Sequence, residues 1–228
     1  MKAAALACVL LPLAACLQAR AAPNEIKIFT DEIASPGEHT LEVHANRAPT
    51  SGYQVMPEYS YGVHPGWELS LQLPVSAERG RLHGDGYRAE MQYVAPHDPS
   101  QGAYFGFNAE LGREERRGDP QHWNLELIPI LAWRGGEWHF VANPGVNLPL
   151  SGPDRKLAFN PAAKAAYQAS AGNAFGLEYF RQRDEQSQLL FFVWDGKLAG
   201  ADINLGLGRG LTGESDRWVL KTIIEFPF

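Results

Sequence analysis

Cysteine is nearly absent: the 228 residues hold two, Cys8 and Cys16. Both fall in the leader described below, so the rest of the chain has no thiol to serve as disulfide, nucleophile or metal ligand. Long apolar runs are also missing. After residue 21 no stretch approaches the roughly 20 residues that a transmembrane helix needs. If the mature chain crosses a bilayer, it does so as strands. Positive charge is scarce, with 20 Lys and Arg against 26 Asp and Glu and a net charge of −6. That balance argues against nucleic acid as a partner, because phosphate binding needs a basic surface. Catalytic signatures are missing too. There is no Gly-x-Ser-x-Gly elbow, no P-loop and no His-Glu-x-x-His helix. The seven histidines are scattered, and His39 and His44 fall on opposite faces of one strand. The expectation is a non-enzyme with no catalytic residue, no bound metal and no cofactor. One trio, His44, Ser60 and Glu58, falls on one face of neighbouring strands and is read as packed polarity before chemistry.

What is present begins with a leader. Lys2, the apolar run from Ala3 to Leu17 and the small-x-small site Ala19-Arg20-Ala21 make a secretory signal peptide. Cleavage after Ala21 is the first reading. Leu13-Ala14-Ala15-Cys16 overlaps it and resembles a lipoprotein lipobox, so lipidation at Cys16 is the second. About 200 residues remain, which suits one domain, and all-β barrels often run that long. The division is residues 1–21 as signal peptide, 22–37 as a lead-in or plug segment and 38–228 as a β-barrel. The stretch Ile26-Lys27-Ile28-Phe29-Thr30-Asp31-Glu32 is an extra strand, a lead-in or a lumen plug, and a plug would close any pore.

Short alternating segments recur between Gly, Pro, Asp and Ser clusters, the pattern of strands and turns. They are centred near residues 42, 58, 70, 90, 108, 128, 143, 164, 177, 191, 204 and 222. The fold predicted is all-β: a transmembrane antiparallel barrel of about 12 strands, with 10 also compatible. Connections alternate between long charged stretches, such as 77–86 and 113–121, and short turns, such as His64-Pro65-Gly66, as in outer-membrane barrels. Prolines work against a simple reading. Pro57, Pro74, Pro129, Pro144, Pro149, Pro161 and Pro227 fall in or near strands, yet a closed barrel has no free edge to hide them.

The last twelve residues carry the face assignment. With period 2, Trp218, Leu220, Thr222, Ile224, Phe226 and Phe228 share one face, and Lys221 and Glu225 the other. An amphipathic last strand ending in Phe resembles the C-terminal assembly signal of bacterial outer-membrane barrels, with Phe226 and Phe228 in that role. The tryptophans agree with an apolar exterior. Trp67, Trp133, Trp138 and Trp194 flank short turns, while Trp123 and Trp218 stand beside long loops. The ten-residue spacing from Trp123 to Trp133 covers about 25 Å in a tilted strand, the height of a lipid-facing band between aromatic girdles. The opposite face is polar and acid-rich. The expected lumen set is Glu42, His44, Glu58, Glu68, Arg88, Glu90, Glu110, Glu126, Lys164, Glu178, Asp202, Lys221 and Glu225.

Three stretches, Phe29-Thr30-Asp31-Glu32, Gly176-Leu177-Glu178-Tyr179 and Gly208-Arg209-Gly210-Leu211-Thr212-Gly213 leading to Asp216-Arg217-Trp218, resemble an uncharacterised group of proteobacterial outer-membrane proteins. That group is loosely placed with transporters of aromatic-degradation pathways. The resemblance implies an outer-membrane location, with membrane lipid and the barrel-assembly machinery as partners. It brings no substrate and no catalytic residue. The functional expectation is a narrow passive channel or binding barrel for a small solute of unknown identity, with a net acidic lumen that favours cations. Two other readings stay open. One is a closed structural or partner-binding barrel, in which Arg113-Glu114-Glu115-Arg116-Arg117 matters most. The other is a soluble exported barrel with an apolar cavity, which requires the two faces to be inverted.

Overall fold

The computed structural model of the protein describes residues 26–49, 52–78, 81–116, 119–152, 155–182 and 186–228. The signal peptide, both cysteines and the Cys16 lipidation motif lie outside the described residues.

Alternation becomes strand almost everywhere it was expected. The elements are β1 (His39–Ala48), β2 (Gly52–His64), β3 (Trp67–Gln72), β4 (Val75–Glu78), β5 (Arg81–Gly84), β6 (Gly86–Val94), β7 (Gly102–Arg116), β8 (Asp119–Gly135), β9 (Trp138–Pro149), β10 (Ala158–Ser170), β11 (Asn173–Gln182), β12 (Ser187–Leu198), β13 (Ala201–Gly210) and β14 (Trp218–Pro227). All pairings are antiparallel. β14 returns to β1, from Thr40 opposite Pro227 to Arg47 opposite Leu220, and closes the sheet. Phe228 donates its N–H to the His39 carbonyl at 2.9 Å, so the chain's last residue helps to seal that seam. β4 and β5 continue the lines of β3 and β6 past Pro74 and Asp85, pair with each other, and stand outside the ring. The other twelve strands form a closed antiparallel barrel.

At one end four connections are two-residue turns, Pro65-Gly66, Gly136-Glu137, Ala171-Gly172 and Ala199-Gly200, and residues 95–101 make a longer one between β6 and β7. Gly66, Gly136, Gly172 and Gly200 all take positive φ there, which tight hairpins demand and glycine supplies. At the other end, the stretches 77–86 and 113–121 differ from the sequence reading. They are mostly hairpin ladder, in β4–β5 and at the tips of β7 and β8.

The faces run apolar outside and charged inside. Leu127 and Leu131 are about half exposed, at 49% and 53%, whereas Glu58 and Lys221 are each 1% exposed. A soluble carrier with an apolar cavity needs the opposite arrangement. On the outer wall the tryptophans gather into aromatic groups. Trp67 packs on Tyr93, and Trp138 on Phe140 and Tyr167, near the two-residue turns; Trp123 meets Tyr87 at the far end.

Three of the strand prolines, Pro129, Pro144 and Pro161, are placed together. Pro144 stands opposite Pro161 across β9 and β10. Between β8 and β9 the ladder lapses from Leu127–Val146 to Leu131–Ala142, the gap that holds Pro129 and Pro144. Residues without an N–H thus share one interruption of the wall, and each neighbouring strand keeps its other bonds.

Residues 26–38 run inside the barrel before turning into β1. Ile26 and Ile28 pack on inward-facing Val141, Phe180, Leu189, Phe191, Val193 and Val219. Phe29 packs on Val94, Tyr104, Ile128 and Ile130. Where the segment leaves the lumen it lies against β2, with the Gly37 N–H bonded to the Gly62 carbonyl at 2.8 Å. A Cβ on Gly62 would stand 2.1 Å from the Ser35 carbonyl oxygen. Only glycine permits that approach.

Candidate functional site

The lumen is the candidate site, and β-pairing sets its chemistry. Inward residues of neighbouring strands fall level, which brings acids side by side. Glu42 is opposite both Glu58 and Glu225, Glu225 is opposite Asp202, and Glu110 is opposite both Glu90 and Glu126. Like charges directly across a ladder repel, so the arrangement requires cations and donors between them.

Three networks supply these. The first crosses β1, β2, β3, β6 and β7. His44 contacts Glu42, and its Nε2 lies 3.3 Å from Glu58 Oε2. Gln72 donates to Glu58 at 3.2 Å and to Glu90 at 2.7 Å. Arg88 reaches Gln72 at 3.3 Å and Glu110 at 3.5 Å. Lys27 of the lumen segment adds its ammonium 2.9 Å from Glu42 and 3.3 Å from Glu58.

The second network is across the lumen. Glu178 contacts Lys221 and lies 3.1 Å from Lys164, which reaches Asp195 at 2.8 Å. Asn204 donates to Asp195 at 2.6 Å. Gly206 and Gly208 leave the floor clear beside Lys221, and a Cβ on Gly208 would meet the Phe191 ring at 2.5 Å. The third network is at the two-residue-turn end. Arg134 grips both carboxylate oxygens of Asp31, and His97 Nε2 lies 2.9 Å from Asp31 Oδ2. Burial by itself would raise the Asp31 carboxyl, but the bonds from Arg134 and His97 outweigh it and hold the pKa down at about 2.

The inner segment is tied by more than charge. The Asn143 side chain accepts from the Phe29 N–H at 2.9 Å and donates to the Phe29 carbonyl at 3.1 Å, imitating a strand partner. Gln92 donates to the Thr30 carbonyl at 2.8 Å, and the Ala34 N–H donates to Glu68 at 2.6 Å. On either side of Thr30 and Glu32 lie two polar cavities of about 270 and 320 Å³, with Lys164 and Asp195 lining both. The segment therefore divides the space at this mouth.

Of the residues expected in the lumen, Glu42, His44, Glu58, Glu68, Arg88, Glu90, Glu110, Glu178 and Lys221 are buried. Glu126, Lys164 and Glu225 are partly accessible. Asp202 lies nearer the mouth, paired with the exposed Lys197 at 2.7 Å. Arg134 and Asn143 were not expected there, and Lys27 and Asp31 enter with the stretch for which a lumen plug was one of the readings. The alternation Ile26-Lys27-Ile28 was the available signal for Lys27, and Arg134, next to the Gly135-Gly136 pair that ends β8, offered none. Two strands depart from the polar-face reading: β8 turns Ile128 and Ile130 inward against Phe29, and β12 turns Phe191 inward. β12 is apolar on both sides, with Phe191 fully buried and Phe192 58% exposed; its inner face is covered by Ile26 and Ile28. His44, Ser60 and Glu58 do come together, yet Ser60 bonds Glu58 at 3.4 Å and Ser70 at 2.8 Å. No bond joins Ser60 to His44, so the trio holds no nucleophile–base pair.

No protein-family profile matches the sequence, and no curated protein matches it. Solved structures do match in fold. A KdgM porin, solved with disordered oligogalacturonate, superposes with a TM-score of 0.60 at 11% identity, covering 83% of this chain and 99% of its own. OccD1 (OprD) Y282R/D307H gives 0.43 at 12% identity over 92% of this chain and 73% of its own. LpxR from Salmonella typhimurium gives 0.43 at 6% identity over 82% of this chain and 99% of its own. The fold is the closed twelve-strand antiparallel barrel of porin-type outer-membrane proteins.

Proposed function

We propose that the protein is an outer-membrane barrel that forms a narrow, cation-preferring path for a small solute and is closed at rest by its own N-terminal segment. The observation that carries this is the inversion of faces combined with the filled lumen: leucines and aromatics outside, acids inside, and residues 26–34 bonded to opposite walls. Trp67, Trp123, Trp133, Trp138, Trp194 and Trp218 serve as interfacial anchors in membrane lipid. Phe226 and Phe228 present the terminal strand to the assembly machinery. Arg88, Lys164, Lys221, Lys27 and Arg134 do not match the acids in number, so fixed charge in a confined space favours cations.

Two measurements test this in sequence. The first is gel mobility from washed outer membranes with and without boiling; a heat-dependent shift is expected of a folded barrel. The second is the reversal potential across a salt gradient in a planar bilayer, for the full chain and for a variant lacking residues 26–34. Cation preference with higher conductance in the deletion is expected, and anion preference refutes the reading. The density of anchors on the segment favours a second reading, a permanently closed structural barrel. A deletion variant that folds and stays silent would establish that one.

A further inference from the structure

The polar wall of the lumen contains a cation site already filled by part of the same chain. We propose that Glu42, Glu58 and His44 form a binding site for a solute bearing a primary alkylammonium group, with Lys27 as its tethered occupant. This rests on the reading of the lumen as a cation path and names the class of solute.

The two carboxylates are level on adjacent strands and directly opposite. Without a cation between them they repel in a space that excludes water from Glu58 almost completely, at 1% exposure. Their geometry is fixed from behind, since Ser60 and Gln72 donate to Glu58 and His44 closes the third side. A carboxylate oriented by such partners is a preformed receptor. The wall itself brings the His44 imidazole to the two carboxylates, and the alkylammonium beside them comes from the segment. Lys27 places its ammonium 3.3 and 3.4 Å from the two Glu58 oxygens and 2.9 Å from Glu42, and it belongs to a segment anchored independently through Phe29 and Asp31. The facing wall differs. There Glu178 is neutralised by Lys164 and Lys221, both rooted in strands, so that wall is complete without the segment. On the β1–β2 wall one imidazole faces two carboxylates, and the ammonium that balances the second comes from the segment. The occupant seen is an ammonium on an alkyl stem, which identifies the class. The ligand atoms of Glu42, His44 and Glu58 lie within 4.8 Å of one another, so a divalent metal is the competing occupant that the test must separate.

Lys27→Ala removes the ammonium and its stem and leaves room for propylammonium, while the Asn143 and Arg134 anchors remain. The experiment is titration calorimetry of the folded full chain in detergent, with propylammonium, propanol and calcium as probes. The expected result is propylammonium binding to K27A and not to the unsubstituted protein, no response to propanol, and about tenfold weaker binding in K27A/E58Q, the scale of one lost charged hydrogen bond. Absence of propylammonium binding to folded K27A overturns the proposal, as does tighter binding of calcium. If K27A does not fold in detergent alone, refolding with propylammonium against propanol reads the same site: rescue by the amine supports it, and failure of rescue overturns it. Binding is read without conductance. A barrel that binds the amine and never conducts loses the channel reading and keeps this site. One that conducts without binding loses only this site.

Discussion

The two sides of the lumen are built on different terms. From β1 to β7 the inner wall is hydrophilic: Glu42, His44, Glu58, Gln72, Arg88, Glu90 and Glu110 form a continuous polar chain that Lys27 completes. From β11 to β14 the wall presents Phe180, Leu189, Phe191, Val193 and Val219, and its one buried acid, Glu178, is neutralised by strand lysines. The same segment satisfies both, offering an ammonium to one wall and two isoleucines to the other. A lumen-facing strand need not be polar if something dry covers it, and a polar wall need not balance its own charge if something charged faces it.

Removing the shared partner should give the largest effect. Deletion of residues 26–34 is expected to open the barrel and to expose the Phe191 surface to water, seen as a rise in single-channel conductance and a lower temperature for the heat-dependent gel shift. Next come changes to one wall alone. Phe191→Ala removes a fully buried ring and should cost about 3 kcal/mol, read by urea unfolding in micelles. Lys221→Ala leaves Glu178 buried with one partner fewer and should cost a similar amount, about 3 kcal/mol, whereas Lys221→Met with Glu178→Gln should recover most of it. If both walls tolerate the deletion as easily as these single changes, the segment is not what joins them.

A smaller effect is expected at the neck. Gly62→Ala forces a methyl group into the Ser35 carbonyl and should release the segment toward the two-residue-turn end without unfolding the barrel, detected as faster proteolysis of the N-terminal residues beside an unchanged gel shift. The smallest concerns pH. Asp31 has its carboxyl held down at about 2 by Arg134 and His97 against the opposing influence of burial. Its latch contribution is fully present above its unfolded value, near 4, and is lost as pH falls through about 2. The Asp31 latch should therefore hold from neutral pH to about 5 and release only in strong acid, read as faster proteolysis of the N-terminal residues, and Asp31→Asn should release it already at neutral pH.

Much of this was legible in the sequence. The centre expected for each of the twelve strands falls inside a barrel strand, and Leu127, Leu131, Glu58 and Lys221 take the faces that period 2 assigns them. Alternation reports which side of a strand is wet, and a barrel obeys it locally. The remainder depends on contacts far apart in the chain. Asn143 gives no sign that it will bond Phe29, 114 residues away. Arg134 resembles a turn residue until Asp31 reaches it. The double apolar face of β12 records a cover that lies more than 150 residues earlier in the sequence. Pro129, Pro144 and Pro161 looked forbidden singly, and only β-pairing shows them aligned at one height.

The seam between β1 and β14 has a consequence for biogenesis. It joins β1 to β14, so the cylinder cannot close until every strand between them is in place, and such distant pairings form slowly. The segment enclosed by that closure is the earliest part of the described chain. While the sheet is still open, the oily inner surface of β11 to β14 is a landing place for Ile26 and Ile28, and the curling sheet can wrap around a cargo already in position. Inserted afterwards, the same residues would have to thread a finished and crowded tube from one end. The order of assembly thus decides whether the barrel is born shut.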